Sequence, residues 1–154
     1  MRWLLGLALG VAAFLAQAQP GEEGVAIRAW AAGRPGSAVA LVVALEIPEG
    51  WALQAHQPSL PHLIPTVLAV EPAADVQVEE IRYPEAQEKY LAFAKRALAV
   101  YTGTTAIVVV LRIAEGAAPG LRLLPARLRF QLCTATYCLL PEEREFLLGV
   151  WVLP

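Results

Sequence analysis

The chain has 154 residues, of which 57% are hydrophobic and 17% charged, and it contains two cysteines. This composition is typical of one globular domain with a full hydrophobic core, and it excludes disordered, collagen-like and cysteine-rich miniprotein classes. The formal net charge of −2 is small and negative, whereas nucleic-acid binders carry a clustered basic surface, so no nucleic-acid partner is expected.

The N-terminal segment has the three parts of a secretory signal peptide. Arg2 supplies a positive charge, an uncharged apolar run extends from Trp3 to Leu15, and Ala16-Gln17-Ala18 has the small-x-small pattern of a cleavage site. The run is shorter than the roughly 20 residues that a membrane-spanning helix needs. We therefore predict a signal peptide over 1–18, cleaved after Ala18, and one exported domain over 19–154. The alternative is an uncleaved membrane anchor.

The rest of the chain alternates short apolar, β-branched segments with turn residues. Turns are predicted at Gly33–Gly36, Pro48–Gly50 and Glu115–Gly120, where glycine and proline concentrate. Between the turns the pattern predicts seven strands and little helix, which favours an all-β sandwich. The predicted strands are Val25–Ala31, Ala38–Ile47, Thr66–Val70, Val76–Tyr83, Tyr101–Ile113, Leu121–Leu132 and Phe146–Val152.

Two segments call for more specific predictions. The continuous apolar run Ile107–Leu111, inside the strand Tyr101–Ile113, predicts a central strand covered on both faces. The segment Glu85–Leu98 is the one stretch with helical features, since Pro84 fits a first helical turn and apolar side chains recur at helical spacing. These side chains are Tyr90, Leu91, Ala94 and Leu98. The alternative for this segment is a long ordered loop over one end of the sandwich.

Cys133 and Cys138 are separated by four residues, a normal length for a hairpin loop. Opposed positions of an antiparallel pair have Cα atoms ~4.5–5.5 Å apart, a separation that a disulfide accepts, so the two cysteines are able to bond. The alternation Arg127-Leu128-Arg129-Phe130 extends to predict Cys133 on the polar face of its strand. In an oxidising cell envelope the pair is expected to be bridged at rest.

Spacing alone leaves two roles open for this bridge. Most disulfides of secreted proteins are structural, which favours a staple. A loop this short, however, contributes only about 2 kcal/mol in the chain-entropy model. A bridge at a hairpin tip is also easy for another thiol to reach, which thiol–disulfide exchange requires. A structural staple and a redox-active disulfide both remain possible at this point.

The segment Gln131–Pro141 resembles the Q-x-C…C-x-x-P hairpin of the N-terminal, immunoglobulin-like domain of the thiol:disulfide interchange protein DsbD. Weaker similarities lie upstream. Pro61–Thr66 resembles that family's proline-rich segment before a strand, Ile81–Pro84 its strand ending in Tyr-Pro, and Val100–Gly103 its Tyr-x-Gly strand start. The resemblance runs from about Val25 to the end. It implies a single immunoglobulin-like β-sandwich in the periplasm or cell envelope of a bacterium.

The resemblance also implies a function, that of a protein-disulfide reductase component or electron relay. Electrons would arrive from a thioredoxin-like protein or a membrane thiol transporter and pass to disulfides of exported proteins, with no cofactor. In that family the second cysteine of the hairpin forms the mixed disulfide with partners, which makes Cys138 the implied exchanging thiol and Cys133 the resolving one. Because the sequence ends at Pro154, we expect the membrane and thioredoxin-like partners to be separate polypeptides.

The family further has a loop whose aromatic side chain covers the cysteine pair and moves aside when a partner docks. Phe93 and Tyr90 precede Tyr101 at the matching place and are the candidates for this cap. Tyr137, inside the cysteine loop, is a further candidate to shield the bridge. The alternative is that Phe93 and Tyr90 are ordinary core aromatics and that Tyr137 is a β-favouring loop residue.

A metal site is the other alternative weighed for the cysteines. Thiolates and imidazoles suit Cu(I) or Zn(II), and His56 and His62 are the only histidines. A proline-rich stretch separates them and no closely spaced ligand pair accompanies them, so no bound metal is expected. The competing function is a non-catalytic exported β-sandwich with a structural disulfide that binds a protein partner or a metal such as copper.

Overall fold

The computed structural model describes residues 24–154, so the predicted signal peptide and the first residues of the predicted domain lie outside the described part of the chain. The described residues form eleven β-strands, arranged in one seven-stranded and one four-stranded sheet. No helix capable of crossing a membrane is formed between residues 24 and 154.

The strands are numbered in chain order. They are β1 Ala26–Gly33, β2 Ala38–Glu46, β3 Ala52–Gln54, β4 Val67–Val70, β5 Val76–Arg82, β6 Gln87–Leu91, β7 Arg96–Tyr101, β8 Thr104–Ile113, β9 Gly120–Phe130, β10 Leu132–Cys133 and β11 Glu142–Val152. The larger sheet has the order β4-β9-β11-β1-β2-β8-β5, and the smaller sheet has the order β10-β3-β7-β6.

The larger sheet is built on long, regular ladders. Strands β9 and β11 pair without interruption from Gly120 opposite Val152 to Phe130 opposite Glu142. Along β9 the side chains alternate, and Leu124, Leu128 and Phe130 are fully buried on the inner face. The sequence predicted this alternation. It arises because successive strand residues point to opposite faces of a sheet. The all-β sandwich is therefore confirmed.

Each of the seven predicted strand segments contains a strand, but two of the segments are divided. The segment 101–113 is interrupted at Gly103, which has a φ of 64° and turns the chain from β7 in the smaller sheet to β8 in the larger. Strand β8 lies between β2 and β5 and so is interior, as predicted. Its coverage on both faces was a wrong prediction, since Val108 and Val110 on the outer face are only half-buried.

Residues 85–98 form neither the helix nor the long ordered loop considered from the sequence, because this segment contains the hairpin of β6 and β7. Tyr90 lies opposite Ala97 across the hairpin, and the turn between the strands contains Lys95 with a φ of 54°. Leu91 and Leu98 are both fully buried. A hairpin with a four-residue turn brings these two leucines to one face, so it reproduces the apolar spacing of a helix.

Two apolar clusters sit on the smaller sheet. The main core fills the space between the sheets and includes Leu53 and Tyr101 from the smaller one. A second cluster joins Ala52, Leu63, Leu91, Leu98 and Val100, with Phe93 and Leu60 packed against it. Strands β3 and β10 of the smaller sheet are thus fully buried although they are short, whereas most of β6 is exposed. The cysteines lie at the β10 edge of this sheet.

Candidate functional site

The cysteine pair is positioned by a change of sheet. Strand β9 ends at Phe130, and after Gln131 the chain enters the smaller sheet as β10, where Cys133 pairs with Ala52 of β3. Cys133 and Cys138 then form an isolated antiparallel bridge and a disulfide, with Cα atoms 3.9 Å apart. The predicted bond between the two cysteines is present in the structure.

The two sulfur-bearing residues differ in exposure. Cys133 is 0% exposed, whereas Cys138 is half-buried. The prediction that Cys133 lies on the polar face is wrong, because the alternation of β9 ends at Phe130 and the switch of sheet at Gln131 restarts the pattern. Leu132 and Cys133 are consequently both buried. Cys138 is the more accessible end of the bridge.

The loop between the cysteines is ordered by Thr134, a residue that the sequence analysis did not single out. Its Oγ1 donates to the carbonyl oxygen of Tyr137 and accepts from the backbone N–H groups of Thr136 and Tyr137. The Thr134 N–H also donates to the Tyr137 carbonyl at 2.8 Å. A hydroxyl that bonds its own local backbone is the usual signal of such a turn, and a threonine at the first loop position carries it.

The turn between β6 and β7 lies against the cysteine loop. The backbone N–H groups of Ala92 and Phe93 donate to the Ala135 carbonyl, at 2.7 Å and 3.4 Å. The Phe93 side chain is half-buried and packs on the second apolar cluster. Tyr90, the other candidate cap, stands on β6 and is 64% exposed. Of the two aromatics, Phe93 belongs to the turn that touches the loop.

Tyr137 lies at the outer side of the cysteine loop. Its ring meets Trp51 edge to face, with ring centroids 6.0 Å apart and an interplanar angle of 88°, a favourable aromatic geometry. The ring is 52% exposed. Trp51 directly precedes β3, so this contact fastens the loop to the strand beside Cys133.

Gln54 is the polar residue of the site that the sequence analysis missed. It ends β3, is fully buried, and its Nε2 donates to the Sγ of Cys133 at 3.3 Å. Its Oε1 has no hydrogen-bond partner within residues 24–154. The only available sequence signal was a lone amide in the otherwise apolar run Ala52–Ala55, which does not indicate a partner 79 residues away.

The histidines do not join the cysteines. His56 Nδ1 donates to the Thr66 carbonyl at 2.9 Å, and its ring stacks on Tyr83 with centroids 3.6 Å apart. The His56 backbone N–H donates to the Tyr101 hydroxyl, and burial raises the pKa of Tyr101, so this hydroxyl stays protonated at neutral pH. His62 is exposed. Among the described residues, no three His, Cys, Asp or Glu side chains cluster as metal ligands would.

Comparison with solved structures agrees with the fold. The N-terminal periplasmic domain of ScsB from Proteus mirabilis superposes with a TM-score of 0.59 over 86% of this chain and 48% of that one, at 13% identity. The chain thus spans about half of that ScsB structure. The DsbD N-terminal domain of Neisseria meningitidis, in its reduced form, gives a TM-score of 0.50 over 85% of this chain and 89% of that one, at 20% identity. These likenesses establish a shared fold.

The sequence itself decides the family. No curated protein is significantly similar to the chain. A family model described as "Thiol:disulfide interchange protein DsbD, N-terminal" matches residues 17–149, which is most of the sequence and includes both cysteines and the loop between them. The chain therefore belongs to the family of DsbD N-terminal domains, the thiol–disulfide exchange family that its cysteine hairpin resembles.

Proposed function

We propose that this domain is an exported electron relay, passing electrons from a thioredoxin-like or membrane thiol donor to disulfides of cell-envelope proteins through Cys133 and Cys138. The observation that carries the proposal is the asymmetry of the disulfide, in which Cys133 is fully buried and Cys138 only half-buried, at the edge of the smaller sheet. Exchange requires that an incoming thiolate reach one sulfur in line with the bond it breaks. Cys138 offers that access.

The same asymmetry supports distinct roles for the two cysteines. In the reduced domain, the Cys138 thiolate attacks a partner disulfide and forms a mixed disulfide, while one partner sulfur leaves as a thiol. Cys133 then attacks Cys138, which restores the internal disulfide and releases the second partner thiol. Two electrons and two protons pass to the partner. Cys133 is suited to this resolving step because it is buried next to Cys138 and away from the partner.

Phe93 is the side chain that we assign as the cap of the pair. Its support is the pair of hydrogen bonds from the β6–β7 turn to Ala135, together with the half-buried position of the ring. Tyr90 is less suited because its ring is mostly exposed on β6. Tyr137 fits a second, outer shield through its contact with Trp51. Docking of a partner would displace the β6–β7 turn and uncover the disulfide.

Export to a bacterial periplasm belongs to the same proposal. Its support is the signal-peptide pattern of residues 1–18, with the working domain over 19–154, and the description of the matched ScsB domain as periplasmic. A stable but exchangeable disulfide also fits an oxidising compartment.

Mixed-disulfide trapping tests the proposal. Cys133→Ala and Cys138→Ala proteins are each mixed with an oxidised thioredoxin-like protein from the same cell envelope, and adducts are counted on a non-reducing gel. We expect Cys133→Ala to trap the partner, because it lacks the thiol that resolves the adduct, and Cys138→Ala to trap poorly. Equal trapping would overturn the two roles. Trapping by neither variant would overturn the relay and favour a structural staple.

A further inference from the structure

The contact between Gln54 and Cys133 is held from three sides. Strand β3 pairs with β10 through Leu53 opposite Leu132 and with β7 through Gln54 opposite Val100. Thr66 Oγ1 donates to the Gln54 carbonyl at 2.6 Å from a fully buried position. The backbone of Gln54 is therefore fixed, and its amide Nε2 lies 3.3 Å from the Cys133 Sγ.

The arrangement leaves one buried polar atom unused. A disulfide sulfur carries no proton and only accepts hydrogen bonds, so the amide must turn its N–H toward Cys133, and Oε1 is left without a partner among the described residues. A buried, unpaired oxygen destabilises the folded state, and an apolar side chain of similar length would avoid it. Such an atom in a native structure calls for an explanation, and a function at the reacting sulfur provides one.

The chemistry of the disulfide identifies that function. When a dithiol reductant attacks, its thiolate bonds to Cys138 Sγ, the Cys133–Cys138 bond breaks, and the electron pair goes to Cys133 Sγ as a thiolate. The second reductant thiolate then attacks the reductant sulfur bonded to Cys138. Cys138 departs as a thiolate, and the reductant is oxidised to a disulfide. Both cysteines take up protons from water. Since Cys133 is 0% exposed, no water shell stabilises the thiolate where it first forms.

We propose that Gln54 is a catalytic hydrogen-bond donor, whose side-chain amide stabilises the thiolate that leaves on Cys133 when the disulfide opens. A hydrogen bond to a charged acceptor is stronger than one to a neutral sulfur, so the amide stabilises the opening bond more than the closed one. Disulfide exchange is faster when the leaving thiol is more acidic. This inference rests on the proposed exchange function and names the group that promotes it.

No ionised side chain is needed for this effect. The elements beside Cys133 are β3, the loop 134–137 and the β6–β7 turn, and their titratable side chains are Tyr137 and Lys95, both exposed. The Gln54 amide is the polar side-chain group bonded to the Cys133 sulfur. It acts as preorganised donors act at a developing negative charge elsewhere in enzymes.

The test uses Gln54→Met and Gln54→Leu, which replace the amide with an apolar side chain of comparable size. The first readout is the rate at which dithiothreitol reduces the native disulfide. The second is the pKa of Cys133 in a Cys138→Ala background, followed by thiolate absorbance. We expect reduction to slow about threefold to tenfold and the pKa to rise by about one unit, as loss of a charge-assisted hydrogen bond implies.

The matched control is Tyr83→Phe, which removes a half-buried hydroxyl bonded to the backbone of Leu68 and to neither cysteine. It should leave both readouts unchanged. A purely structural Gln54 would instead change thermal stability while rate and pKa stay at their wild-type values, and that result overturns the inference. If the wild-type disulfide reacts with dithiols only after unfolding, the exchange function itself fails, and the pKa comparison still decides the role of Gln54.

Discussion

The two sheets of the sandwich differ in how firmly their strands are joined. In the larger sheet β9 and β11 share an eleven-residue register, whereas in the smaller sheet β10 and β3 share two residue pairs and β3 and β7 share two. Short ladders with few hydrogen bonds open locally at lower free energy than long ones. Cys133 and Gln54 lie in strands of the smaller sheet, Cys138 is bridged to Cys133, and the β6–β7 turn joins two strands of this sheet. The larger sheet is thus the more firmly paired part of the sandwich, and the disulfide lies at the less firmly paired one.

This division predicts that the stability of the fold and the reactivity of the disulfide can be changed separately. A substitution of a buried residue in the larger sheet should lower the free energy of unfolding. It should not change the rate at which the disulfide of the folded protein is reduced. A change in the smaller sheet should alter the reactivity even where it costs less stability.

The largest effect should come from Leu124→Ala in β9. Leu124 is fully buried, and removal of such a side chain leaves a cavity that costs about 2–5 kcal/mol of unfolding free energy. Chemical denaturation of the oxidised protein measures this loss, and dithiothreitol reduction of the folded protein should keep its rate. The matched variant is Leu98→Ala in β7, equally buried but beneath the β6–β7 turn; it should also accelerate reduction. Equal acceleration by both variants would break the comparison.

The next effect concerns the bridge itself. The double variant Cys133→Ala/Cys138→Ala should lose only about 2 kcal/mol of unfolding free energy, because the bridge closes a very short loop. Far-ultraviolet circular dichroism and denaturation check that the sandwich persists. If the double variant does not fold, the disulfide is a structural staple.

A kinetic effect is expected from Phe93→Ala. Loss of the ring weakens the packing of the β6–β7 turn against the second apolar cluster. If the turn opens more easily by about 1 kcal/mol, a protein dithiol should reduce the disulfide about fivefold faster. Tyr90→Ala is the control, since that ring is largely exposed on the same hairpin. A rate that rises equally in Tyr90→Ala would remove Phe93 from the role of cap.

The smallest effect should come from the ion pair between Asp75, in the turn before β5, and Arg122 of β9. Hydrogen bonds from the Arg122 guanidinium lower the pKa of Asp75, with Nη2 and Oδ2 2.7 Å apart. A lowered pKa means that the pair stabilises the fold above the carboxyl's unfolded value of about 4, and that this stabilisation is lost as the pH falls through the lower folded pKa. Melting temperatures of Asp75→Asn and wild type should therefore differ slightly at neutral pH and converge in acid. If the two melting temperatures still differ in acid, the difference does not come from the charge of Asp75.

Sequence patterns predicted the larger sheet well because its signals are local. Alternation along β9 and glycine or proline at the turns are visible in short windows. The smaller sheet escaped prediction, because β3 and β10 have three and two residues and exist only through pairing with distant strands. The helix considered for 85–98 is not formed, for the same reason. A hairpin stabilised by packing on Ala52 and Leu63 carries the same apolar spacing as a helix.

The candidate site was predictable only in part. The spacing of Cys133 and Cys138 was enough to predict the bond between them, since opposed hairpin positions are determined by loop length. The face occupied by Cys133 was not predictable, because the chain changes sheet at Gln131. Gln54 approaches the sulfur from a residue 79 positions away, and no local pattern encodes such a contact.

The reduction potential of the native disulfide tests the central claim most directly. The oxidised protein is equilibrated with dithiol buffers of graded potential while circular dichroism confirms that it stays folded, and the thiols are then quantified. The relay predicts a potential above about −300 mV and complete reduction without unfolding, since exchanging disulfides lie above the range of structural ones. A potential below about −300 mV, with reduction only after the sandwich unfolds, would contradict the account and make the bridge a staple.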